Sequence, residues 1–134
     1  MLSSGGEGGT TTELVKSHGV LLHIVPVIAV APEDQKVAQS GIANFYCQAT
    51  GSPTPVVGWR KAGQRIGRNH RRYLIVDSGD GSSVLRIEPV RARRDEDSYE
   101  CYADNDVGTP AVARARLDVY ADEQSGQNTA SLSL

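Results

Sequence analysis

Between residues 26 and 120 the apolar residues recur at every second position in short runs, and no helical periodicity persists for three turns. Clusters of Gly, Pro, Asn and Asp separate the runs about every 8–12 residues, the spacing of an all-β sandwich or barrel. Pro26–Val30 is expected as an edge strand, where a residue without an N–H is tolerated. In GIANFYCQA, period two puts Ala43, Phe45, Cys47 and Ala49 on one face. GSPTP turns the chain, with Pro53 and Pro55 fixing φ. In VVGWRK, Val57 and Trp59 face inward; in SSVLRIEPV, Leu85 and Ile87 do, with Arg86 opposite. DSYECYA brings Tyr99, Cys101 and Ala103 to one face, and NDVG makes a tight hairpin turn. AVARARLDV alternates cleanly, with Ala113, Ala115, Leu117 and Val119 in and Arg114, Arg116 and Asp118 out.

With 134 residues the chain is expected to form one domain, small enough to hide only about 60–68% of its unfolded surface. A covalent staple would help. The two cysteines, Cys47 and Cys101, sit neither in a CxxC pair nor beside a histidine, and four zinc ligands at workable spacing are lacking. A distant even pair reads as one disulfide and an oxidising compartment; two reduced thiols in a cytosolic domain are the alternative. No stretch reaches the ~20 apolar residues of a membrane span. VLLHIVPVIAVA, residues 20–31, approaches a signal-peptide core, but His23 and Pro26 break it and Pro32 follows the small-x-small site. The absence of a recognisable export signal conflicts with a disulfide. A fragment or alternative product of a larger secreted or membrane protein would reconcile the two.

Cys47, Trp59 twelve residues later, and DEDSYEC ending at Cys101 resemble the immunoglobulin signature. CQATGSPTPVVGW, SSVLRIEPV and the N-x-x-G turn resemble its intermediate, or I-set, subclass. The resemblance implies a sandwich of two antiparallel sheets, a Cys47–Cys101 bridge between them, the Trp59 indole packed across it, and Tyr99 at a tyrosine corner. It covers residues 26–120 as an I-set domain. Composition, SSGGEGGTTT near the start and ADEQSGQNTASLSL at the end, leads to the expectation of a disordered segment over 1–25 and a flexible tail or linker over 121–134. PEDQKVAQSGIANFYCQATGSPTP, the basic stretch after Trp59 and SVLRIEPVRARRDEDSYEC are similar to the first immunoglobulin domain of LAR-type receptor protein tyrosine phosphatases. From that follow a cell-surface ectodomain, roles in axon guidance and at synapses, and binding of heparan and chondroitin sulfate proteoglycans through the loop after strand C. The implied binders are Lys61, Arg65, Arg68, Arg71 and Arg72, with Arg91 and Arg94 in support. Ala62 and Gln64 stand where the resemblance implies further charge. Protein adhesion ligands on other faces are a further expectation. The alternatives are a structural I-set module of an intracellular muscle scaffold and an I-set domain of another neural adhesion receptor.

Residues 60–72 carry six Arg or Lys and no acid, so this stretch holds +6 and the remainder −8 of a net −2. Segregation of this kind makes a local positive field in a repulsive background. Arg forks match sulfate oxygens as they match phosphate. A solvated face, with Arg71 or Arg72 paired to Asp95, is the plain structural reading, and Asp95, Glu96 and Asp97 could neutralise Arg91 and Arg94. Nucleic acid is not expected: no Phe, Tyr or Trp interleaves the charges of residues 60–72, and the sequence pI is ≈ 5.9. Neither is catalysis. The phosphatase motif H-C-x-x-G-x-x-R, GxSxG, a Walker loop, HExxH and an EF-hand are all missing, as is an N-x-S/T sequon. His18, His23 and His70 are scattered, no cofactor or metal is expected, and Asp95 reads as structural.

Overall fold

The computed structural model describes residues 23–121. Two sheets pack face to face. In chain order the strands are β1 (Ile24–Val30), β2 (Gln35–Ala38), β3 (Ala43–Ser52), β4 (Val56–Lys61), β5 (Gln64–Arg65), β6 (Tyr73–Asp77), β7 (Ser82–Ile87), β8 (Asp97–Asp104) and β9 (Ala111–Tyr120). One sheet runs β2-β9-β8-β4-β5 and the other β1-β3-β7-β6; all neighbours are antiparallel except β2 and β9. The expected segments 1–25 and 121–134 lie outside the described residues, except for residues 23–25 and 121.

β1 begins at Ile24, two residues before the boundary expected at Pro26. Ile24 pairs with Ser52, and its carbonyl accepts the Asn105 amide at 2.8 Å, so long-range partners set the strand's start. The ladder to β3 shifts register between Ile24 and Val27, around the proline that has no N–H to give. β1 is an edge strand, as the proline requires. Three strands carry no alternating signature of their own: β2, the two-residue β5, and β6, whose Leu-Ile-Val run shows no period. Register with β9, β4 and β7 respectively makes each of them extended.

The inward faces meet in a core of Phe45, Trp59, Leu85, Ile87, Tyr99 and Leu117, all without solvent exposure. Cys47 on β3 and Cys101 on β8 join the sheets through a disulfide, with Cα atoms 6.4 Å apart. Trp59 stands in register with Cys101, and its indole N–H donates to Ser83 Oγ at 2.9 Å. That bond crosses between the sheets and satisfies the polar edge of a fully buried ring. Phe45 stacks on Tyr99 at 5.2 Å between ring centres. The Tyr99 hydroxyl reaches back to the carbonyl of Asp95 at 2.6 Å, which pins the turn entering β8.

Candidate polyanion-binding site

β4 and β5 are joined by the two residues Ala62 and Gly63, both at positive φ (48° and 82°), the twist a two-residue hairpin demands. Ala62 N–H donates to Ser98 O at 3.0 Å, which fastens this tip to the start of β8. Trp59 faces the core, so Lys61, two positions on, emerges on the same side beyond the core's rim. Its Nζ donates to the carbonyl of Arg94 at 2.6 Å and lies 5.8 Å from the centre of the Tyr73 ring. The β4–β5 tip and the turn before β8 thereby form one wall. An open cleft of about 610 Å³ lies there, lined by Lys61, Arg65, Ile66, His70, Arg72, Tyr73, Arg94 and Asp97 among others.

The seven expected binders divide. Lys61, Arg65 and Arg94 come together in the cleft. Arg71 and Arg91 are exposed, and among the described residues no carboxylate pairs with them, with Arg65 or with Arg94. Arg68 is exposed but paired with Asp77 at 2.6 Å, and it lines a neighbouring pocket rather than the cleft. Arg72 is different in kind. Its guanidinium donates to both oxygens of Asp95 (2.6 and 3.1 Å) and to Pro89 O (2.9 Å), and its side chain is 18% exposed. Arg72 lines the cleft with its guanidinium held by a buried carboxylate, the Asp95 pairing that the plain structural reading expects. None of the acids after Arg94 forms an ion pair with it: Asp95 turns inward, and Glu96 accepts the Val119 N–H at 3.0 Å. Asp97 alone lines the cleft as an acid.

A family model for the immunoglobulin I-set domain matches residues 26–119. The chain belongs to the immunoglobulin I-set family. The tyrosine-protein phosphatase Lar of Drosophila melanogaster is 43% identical over 100 residues, 75% of this chain and 5% of that protein. The receptor-type tyrosine-protein phosphatase F of Homo sapiens is 43% identical over 100 residues, 74% of this chain and 5% of that one. The N-terminal Ig1-2 module of the Drosophila receptor protein tyrosine phosphatase DLAR superposes with a TM-score of 0.70 at 43% identity, covering 74% of this chain and 50% of that one. This I-set domain is thus similar to the N-terminal immunoglobulin domains of LAR-type receptor phosphatases and spans about 5% of its curated relatives' length. Among the described residues, no helix is long and apolar enough to cross a membrane.

Asp95 is the electrostatic hub of the I-set domain at this end. Burial pushes its carboxyl up, but bonds from Arg72, Tyr73 and the Arg91 N–H together outweigh that and hold it below the ordinary carboxylate range. Arg72 is raised in return, chiefly by its bond to Asp95. Burial, then the neighbouring Asp95, pushes the Tyr73 phenol up to about 12. Sequence reading missed Tyr73 and His70, whose rings meet at 4.4 Å in the cleft. Tyr73 ends the basic run directly, which was an available signal. His70 stands in the sequence only as one of three scattered histidines, and its contact with Tyr73 depends on the loop's path rather than on spacing.

Proposed function

We propose that this I-set domain is a non-catalytic extracellular recognition and adhesion module, as in the LAR-type receptor phosphatases it resembles. It acts as one domain over residues 26–120 and binds sulfated chains of heparan and chondroitin sulfate proteoglycans. One observation carries the glycan reading: Lys61, Arg65 and Arg94 converge from two separate segments on one open cleft and keep no carboxylate partner among the described residues. Lys61 is tied down by the Arg94 carbonyl, whereas Arg65 and Arg94 lose side-chain freedom when a polyanion arrives, but within the ~10 Å Debye length of 0.1 M salt the three act together. Arg71 and Arg91, exposed beside the cleft, extend the field; Arg68 contributes after exchanging Asp77 for a sulfate. The Cys47–Cys101 bridge favours an oxidising compartment over an intracellular muscle scaffold.

The test is retention on immobilised heparin in a salt gradient. The triple substitution K61Q/R65Q/R94Q should elute near the void at 0.15 M salt with an unchanged thermal midpoint. A folded triple variant that elutes with the wild type removes the cleft from the reading.

A further inference from the structure

On the outward face of the five-stranded sheet, strand register lines up Arg114 on β9, Glu100 on β8, Arg60 on β4 and Arg65 on β5 as one row across four strands. Glu100 is nearly buried at 8% exposure and receives both flanking guanidiniums: Arg60 Nη1 at 3.4 Å, and Arg114 Nε at 3.0 Å and Nη2 at 2.9 Å. The Arg60 guanidinium is also laid over the Tyr102 ring, 4.2 Å from its centre. One carboxylate therefore fixes two arginines while cancelling one charge. With Arg65 the row keeps three positive groups against one negative, a surplus of +2. At the ~4.8 Å spacing of neighbouring strands, four strands span roughly 14 Å.

The arginines remain open to solvent, with side-chain exposures of 68% for Arg114 and 40% for Arg60. Arg65 belongs to both places: it lines the cleft and opens the row. The other sheet's outward face offers no such surplus, since Arg86 there is matched by Glu88 at 2.8 Å.

We infer that a sulfated chain seated in the cleft continues over this outward face, along Arg65, Arg60 and Arg114, so that the domain reads a longer polyanion than the loop alone can hold. The inference rests on the cleft reading. Guanidiniums already clamped by Glu100 and Tyr102 lose little freedom on meeting sulfate, and each retains donors that the carboxylate does not use.

Heparin chromatography of four single variants tests it, using Arg86 and Glu88 as charge-matched controls on the opposite sheet. R114Q should elute at lower salt and E100Q at higher salt than wild type, with the slope of log affinity against log salt changing by about one. R86Q and E88Q should move neither. The thermal midpoint of each variant excludes unfolding as the cause. If R114Q and E100Q shift no more than R86Q and E88Q while K61Q/R94Q loses retention, the outward row is refuted and the cleft stands. Retention lost in R114Q but kept in a folded K61Q/R94Q sinks the cleft reading and leaves the row as the site.

Discussion

Arg71 and Arg72 are adjacent in sequence and identical in chemistry, yet the structure gives them opposite roles. Substituting each with Gln separates those roles. The Asp95 carboxylate has no solvent exposure and receives two bonds from Arg72, one from the Tyr73 hydroxyl and one from the Arg91 N–H at 2.6 Å. Removing one member of a buried ion pair costs about 3–5 kcal/mol, because the other charge stays behind. Two donors would still serve Asp95 in R72Q, so the expected loss lies near the low end, about 3 kcal/mol. At 4–8 °C per kcal/mol for a domain of about this size, the midpoint should fall by roughly 12–24 °C. R71Q, on an exposed side chain, should stay within about 0.5 kcal/mol of wild type. Denaturant unfolding followed by the fluorescence of Trp59, the chain's one tryptophan, measures both. Acid supplies an internal check. The stability conferred by the lowered Asp95 carboxyl is present above its unfolded value, near 4, and disappears as pH falls through the folded value. Wild type and R72Q should therefore converge in acid. An R72Q protein as stable as R71Q at neutral pH refutes the assignment of Arg72 to the scaffold.

Two further predictions follow from the same geometry. Replacing Cys47 and Cys101 by Ala should cost about 4 kcal/mol on the chain-entropy model, given their separation of 54 residues, and heparin binding should persist wherever the variant remains folded; calorimetry and column retention together check this. In alkali, the raised phenols of Tyr73 and Tyr99 favour the fold while neutral, so stability should be complete below pH ~10 and fall as pH rises through about 12. Tyrosinate absorbance recorded alongside circular dichroism should show these phenols ionising only as the fold is lost; ionisation well before unfolding would contradict the buried Tyr73–Asp95–Tyr99 arrangement.

The legible part of the fold was the part written in local alternation. Phe45, Cys47, Trp59, Leu85, Tyr99 and Leu117 announce their faces by period two, and each is buried as that period requires. β2, β5 and β6 were not legible, because the partner strand decides that they are extended. At the site, composition located the charge but could not say which charges were free. Arg72 and Arg71 differ only in which one the turn into β6 aims at Asp95, and Arg94 joins Lys61 through a contact spanning 33 residues.

By itself, the sequence determined an all-β chain with inward-facing Phe45, Cys47, Trp59, Tyr99 and Cys101 and a cationic stretch after β4, since side-chain period and charge are local properties of the chain. The sandwich and the Cys47–Cys101 bridge were what the immunoglobulin resemblance implied. Tertiary structure alone decided that Arg72 belongs to Asp95, that Arg94 enters the cleft, and that Arg114 lines up with Arg60 across Glu100. Register and loop path fix those distances, and both arise from the packing of residues far apart in the chain.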